Sequence, residues 1–160
     1  MELQQIKREC SDCDVCCNIL EVRELNKQSF CNCIHRADHG GCGRYETRPD
    51  ICRDWSCAYI LNLIPGNEEI KPNNLGLMFY PVDAKNNDLN MSMLMGQEVW
   101  PDAIYSSDAQ AVINYLSKRI FTMIRHYKQE KFTYVGPPEK VKEFEKRHSE
   151  YMKNQGLGET

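Results

Sequence analysis

All nine cysteines of this 160-residue chain fall between Cys10 and Cys57, a window of 48 residues, and the 103 residues that follow contain none. Sulfur chemistry therefore governs how the first third can fold. The window opens Cys10-x-x-Cys13-x-x-Cys16-Cys17, continues through Cys31-x-Cys33-x-His35, and closes with Gly41-Cys42-Gly43 and Arg48-Pro49-x-x-Cys52-Arg53-x-x-x-Cys57. Two residues between cysteines let a tight turn aim both sulfurs, and nearby backbone N–H groups, at one ion. Here that spacing occurs twice in succession. Cys16 and Cys17 diverge from a regular backbone, so they are expected to serve different metals or to bridge two.

The alternative use of so many cysteines is a disulfide framework. Three features argue against it: an odd total, a vicinal pair that rarely meets disulfide geometry with itself, and a start, Met1–Arg8, with no apolar core of the length a secretory signal needs. No stretch approaches the roughly 18 apolar residues of a membrane span. The chain is thus expected in the cytoplasm, where closely spaced cysteines are more often metal ligands than disulfide partners. With 20 Lys and Arg against 23 Asp and Glu, the formal charge of −3 lacks the clustered excess of cations that phosphate backbones require. Another protein is a better candidate partner than nucleic acid or a membrane.

Taken in order, residues 1–9 read as a polar lead-in. Residues 18–25 read as a short strand leading away from the sulfurs, with Asn26–Ser29 as the turn back. The glycines around Cys42 are expected to let backbone approach a metal-bound sulfur closely. Arg44, Arg48 and Arg53 interleave with Cys42, Cys52 and Cys57, and guanidinium groups there would screen a negatively charged thiolate cluster. Downstream, Ala58–Ile64 is an apolar run expected to form a short helix ended by Pro65-Gly66. Leu75–Tyr80 and Leu89–Met95 read as an antiparallel pair, and Thr122–Tyr127 with Phe132–Val135 as a second hairpin. Met91, Met93 and Met95 share one strand face; three thioethers there suit Cu(I), but filling the core is the ordinary use of methionine. Ala109, Val112, Ile113, Leu116 and Ile120 form a helical stripe capped by Ser107 or Asp108. Pro137-Pro138 opens a terminal helix with Val141, Phe144, His148, Tyr151 and Met152 on one face, His148 reading as a partly buried core residue.

The cysteine pattern resembles the CxxCxxCC, or YkgJ-like, family of small bacterial proteins. The residues that carry the likeness are Cys10-x-x-Cys13-x-x-Cys16-Cys17, the middle pair, Gly41-Cys42-x-x-Tyr45-x-x-Arg48-Pro49-x-x-Cys52-Arg53, Cys57, and Lys71-Pro72-Asn73-Asn74-Leu75-Gly76-Leu77-Met78-Phe79. It spans about Cys10 to Asp83. The resemblance implies a zinc- or iron-chelating domain, and extends loosely to flagellin lysine methylases, which carry a similar cluster. One departure is the middle pair, spaced by one residue here and by two in relatives, which leaves open which of Cys31, Cys33 and His35 is not a ligand; Cys33 is the candidate spare, with His35 as a replacement.

Four thiolates close a tetrahedral zinc site and leave no open position for water or substrate, so Cys10, Cys13, Cys16, Cys17, Cys31, Cys33, Cys42, Cys52 and Cys57 can saturate two zinc ions with one thiol left over. That favours a structural, binding or accessory role. Iron or an iron–sulfur cluster with a redox or group-transfer role is the alternative, although the fourth ferredoxin-type cysteine followed by proline is missing. No phosphate loop, dinucleotide fingerprint, His-Glu-x-x-His pair or nucleophile with an adjacent base is present. The expectation is one α+β domain over 1–160: a cysteine-rich metal-binding lobe at 10–64, and at 65–160 a small antiparallel sheet with two or three helices.

Overall fold

The computed structural model describes residues 7–157; the first six residues of the polar lead-in lie outside them. The described residues are α+β, with five α-helices and one four-stranded sheet in the order β1-β2-β3-β4. Strand β1 (Leu77–Val82) pairs antiparallel with β2 (Met93–Glu98), and β3 (Thr122–Arg125) pairs antiparallel with β4 (Phe132–Val135). Both expected hairpins are present. They do not, however, make an antiparallel sheet, because β2 and β3 run parallel, in the register Leu94↔Thr122 to Gln97↔Arg125. A parallel neighbour needs a crossover of a dozen residues or more. Residues 99–121, which include helix α4 (Ser107–Ser117), supply it.

Helix α4 buries Ala109, Val112, Ile113 and Leu116, the stripe expected of a 3.6-residue period. Its cap lies one residue before the expected positions: the Ser106 side chain accepts the Ala109 N–H at 3.2 Å. One sheet face, with Leu77, Phe79, Leu94 and Ile124, belongs to the same apolar cluster as this stripe. The other face carries Met93, Met95 and Met123, which join Met91, Phe121 and Phe144 of helix α5 (Pro138–Asn154) in a second cluster. The methionines are core. His148 is exposed, although its ring stacks on Phe144 at 5.5 Å.

A buried carboxylate ties the crossover to the second hairpin. Glu98 is 1% exposed; its Oε1 accepts the Ile104 N–H at 3.0 Å and its Oε2 the Tyr127 N–H at 2.8 Å. Both N–H groups thus have a carboxyl oxygen as acceptor, and such hydrogen bonds offset the cost of burying the polar group. His126, also buried, reaches Thr133 Oγ1 at 2.8 Å and lies 3.5 Å from Glu98.

Residues 8–76 contain only short helices and turns. The strand expected over 18–25 does not form: helix α1 (Val15–Ile19) covers its first two residues, and in this single turn Val15 and Ile19 are buried. Beyond it a Val22↔Lys27 bridge closes around Asn26, which takes the left-handed conformation of a tight turn. Helix α2 (Asp50–Asp54) and helix α3 (Pro72–Leu75) are equally brief. The Ala58–Ile64 run forms consecutive turns instead of a helix, with Asn62 in the left-handed conformation at φ +55° and the Ala58 N–H donating to Phe79 O at 2.7 Å, alongside β1. Val15, Ile19, Cys57 and Ala58 belong to the same apolar cluster as β1 and α4.

Candidate metal centre

The cysteines are brought together by short turns that lean on one another. Across the first motif the Cys13 N–H bonds Cys10 O at 2.7 Å, closing the tight turn that the two-residue spacing calls for. The glycine turn then packs against that first turn. A Cβ on Gly40, at φ +91°, would stand 2.6 Å from Asp12 O, and one on Gly41, at φ +80°, would come closer still to Ser11 O. These glycines therefore admit a neighbouring backbone; the expectation that they would make room at a sulfur is corrected. Cys42 follows directly, held by an Arg36↔Cys42 bridge, and the Cys33 N–H bonds Cys17 O at 2.9 Å.

Charged pairs fix the same segments from outside. Asp12 accepts from Lys71 at 2.9 Å and from Asn73 at 3.3 Å, while Lys71, 3% exposed, also pairs with Glu68 at 2.8 Å. Burial alone would lower Lys71, but the Glu68 and Asp12 carboxylates more than offset it and hold the ammonium charged. Asp14 pairs with Arg36. Ahead of Cys10, Arg8 donates to Tyr59 O, Ile64 O and Gly66 O at 2.7–3.0 Å and lies over the Tyr59 ring.

Eight of the nine cysteines face one cavity of about 370 Å³: Cys10, Cys13, Cys16, Cys17, Cys33, Cys42, Cys52 and Cys57. His35 lines it too, and Trp55, Tyr80, Met78 and Ile60 form an apolar wall. Cys31 is exposed and off the wall. Within the middle pair, then, Cys33 lies on the cavity wall and Cys31 does not. Among the described residues no three His, Cys, Asp or Glu side chains already converge as a group that could hold an ion.

The sulfurs sense one another and their surroundings. Burial pushes the Cys13 thiol up, against N–H groups of Val15 and Asn73 that favour the thiolate. Cys57, 8% exposed, is raised by burial against N–H groups of Tyr59 and Ile60. Cys10 is raised by burial and then by Cys57, with the Tyr45 hydroxyl and Arg48 acting the other way. The Cys16 thiol bonds the Cys17 sulfur, which pushes Cys16 up and brings Cys17 down to about 7. Cys52 is raised by burial and by Cys17, Cys33 and Cys42. Backbone N–H groups aimed at sulfur are the outer-shell pattern that orients metal thiolates.

Of the three arginines expected to screen the sulfurs, Arg48 does lie beside Cys10; it also stacks on Tyr45 at 3.8 Å and bonds Tyr45 O at 2.8 Å. Arg44 lines the cavity with its Nη1 3.4 Å from His35 Nε2. Arg53 turns outward to Arg48 O and Asp50 and is off the cavity wall. The cation that sequence reasoning missed is Lys27. It is 6% exposed, donates to Asn18 O, Leu20 O and Gln28 O, and sits in the field of Cys33, Cys17, Cys31 and Cys16. Burial lowers its pKa, and those sulfurs oppose the drop. Nothing in its Asn-Lys-Gln-Ser context distinguishes it from a solvated turn lysine.

The donor set fits a thiophilic ion. Soft and borderline metals select sulfur, and cations and N–H donors beside thiols would offset charge on a bound metal thiolate and orient it. No family model, curated protein or solved structure matches the chain. Among the described residues no helix is long and apolar enough to cross a membrane.

Proposed function

We propose that this chain is a metal–thiolate protein of the CxxCxxCC kind, whose cysteine-rich amino-terminal part holds two zinc ions and which serves as a binding or accessory module for another protein in the cytoplasm. The observation that carries this reading is that eight cysteines from five separate stretches of sequence face a single cavity. Packing alone calls for small apolar residues of any kind on such a wall, whereas the repeated Cys-x-x-Cys spacing of Cys10, Cys13 and Cys16 is the one that aims sulfurs at an ion. Bound zinc would neutralise the thiolates, close the segments on one another and contribute folding free energy directly.

The size of the cavity favours a second reading, in which iron with inorganic sulfide occupies the same thiols and supports redox or group-transfer chemistry. Oxygen-free purification followed by elemental and acid-labile sulfide analysis separates the two. Colourless protein with two zinc ions per chain supports the first; brown protein with iron and sulfide supports the second. Protein that binds neither metal, even when reduced and reconstituted, overturns both.

A further inference from the structure

We infer that residues 28–36 form a gate over the cysteine-lined cavity, latched by the Phe30 ring against the turn between β3 and β4. The gate concerns access to the thiols and stands whichever metal they take.

The segment is a wall one chain thick. Cys33 and His35 line the cavity, while Ile34 between them is 81% exposed. Cavity and solvent thus lie on opposite sides of a single stretch of backbone. Few bonds hold that stretch in place: the Cys33 N–H donates to Cys17 O at 2.9 Å, the Gly43 N–H to His35 O at 2.8 Å, and the Asn18 amide to Asn32 Oδ1 at 2.7 Å. Of the two large apolar side chains in the segment, Phe30 and Ile34, it is Phe30 that packs on the core cluster. Segments with few buried apolar contacts open locally at low free energy, so the seat of this one ring sets how often the gate opens.

Phe30 is held in a conformation that its residue type disfavours. The Cys31 N–H bonds Gln28 O at 3.3 Å, closing a turn whose third residue, Phe30, has φ +59°. Such a turn takes glycine or asparagine at that place, and a bulky aromatic residue there is a backbone outlier. Outliers persist only where their surroundings over-determine them. Here the surroundings are the β3–β4 turn. Phe30 meets Tyr127 edge-to-face, with ring centroids 5.5 Å apart at 88°, and Lys128 Nζ lies 5.7 Å from the Phe30 centroid and 5.1 Å from that of Tyr127. The receiving side is firm, because the Tyr127 N–H ends on the buried Glu98 side chain at 2.8 Å. Strain therefore sits on the gate and its restraint on the sheet. When the ring leaves Tyr127, the turn relaxes and Cys33 moves off the wall into solvent.

The test is a brief pulse of iodoacetamide on the reduced full chain as purified, with alkylation read at each cysteine by tandem mass spectrometry. In the wild type, exposed Cys31 should react at least tenfold faster than Cys33. Tyr127→Ala removes the ring that Phe30 meets and should speed Cys33 at least tenfold, while Cys57, seated on the core, keeps its rate. Tyr127→Phe retains the ring and should keep the wild-type pattern. Phe30→Gly should also speed Cys33, and should melt higher than Phe30→Ala because glycine accepts φ +59° without strain. Equal labelling of Cys31 and Cys33 in the wild type, an unchanged Cys33 rate in Tyr127→Ala, equal acceleration of Cys33 and Cys57, or a higher melting temperature for Phe30→Ala overturns the gate. Because a variant can fail to fold, hydrogen exchange of the wild type gives an independent reading. Corrected for intrinsic rates, the Cys33 N–H should exchange at least tenfold faster than the Ala58 N–H bonded to β1, and equal protection overturns the gate as well.

Discussion

Replacing Gly40 with alanine isolates how far the sulfur-bearing turns depend on touching. Two terms act on the variant. At φ +91° an L-residue sits in left-handed space, which costs about 1–2 kcal/mol, reduced by about 0.4–1 kcal/mol because alanine also restricts the unfolded chain. The second term is steric: the new methyl would lie 2.6 Å from Asp12 O, inside the 3.0 Å that real Cβ atoms respect, and the obstacle is backbone. Overpacking of that kind costs about 1–3 kcal/mol. Gly156 provides the control, since its φ is +71° but nothing lies within 4 Å of a Cβ there. Gly156→Ala should thus lose at most about 1.6 kcal/mol and Gly40→Ala about 1–3 kcal/mol more than that control, a gap of roughly 2–12 °C in Tm for a domain of this size. Thermal and urea unfolding of both variants, each with measured zinc content, give the comparison. Equal losses would mean that the glycine turn does not press on the Cys10–Cys13 turn and that the two are not held together as described.

Lys27→Met should cost about 2–3 kcal/mol in urea unfolding and weaken zinc retention, because three carbonyls lose a charged donor and the nearby thiolates lose a counter-charge. No change in either measurement would place Lys27 outside the site. Glu98→Ala should cost about 2–4 kcal/mol with zinc content unchanged, since it strands the Ile104 and Tyr127 N–H groups, neither of which lines the sulfur cavity; loss of metal along with stability would contradict that separation. Glu143 is held below its ordinary value of 4.5, first by the bond from Lys140, and orients Arg147 toward Leu89 O and Asn90 O. A depressed carboxylate contributes stability above its unfolded pKa and loses it as pH falls through the lower folded value. Wild-type Tm should therefore fall more steeply below pH 4.5 than that of Glu143→Gln, and parallel curves would refute the assignment.

The parts of the fold legible in sequence are those with a long period and few competing signals. The α4 stripe, the α5 pattern after Pro137-Pro138 and the β3–β4 hairpin each stand where residue spacing places them. Helix α1 was hidden because its only apolar signal is the Val15 to Ile19 step, and the residues between them are two cysteines and an asparagine. The parallel β2–β3 pair was available in principle: a helical stripe lies between two strand signals, which is the signature of a crossover. Reading each strand with its nearest neighbour concealed it. At the site, the gathering of sulfurs could be read from their crowding, but which sulfur stands apart could not. Cys31 and Cys33 are separated by one residue, and they differ in a backbone partner that spacing does not reveal, Cys17 O for the Cys33 N–H and Gln28 O for the Cys31 N–H.

Helix α1 joins two kinds of stabilisation within five residues, since Val15 and Ile19 bind the sheet's core while Cys16 and Cys17 face the cavity. During synthesis this imposes an order of events. All nine thiols leave the ribosome before Leu77, the first residue of the first strand, so the surface that seats α1 does not yet exist while the sulfurs are already accessible. In that interval the nascent segment must rely on the reducing power of its surroundings, and protein translated under oxidising stress should accumulate mispaired sulfur while protein completed beforehand escapes it.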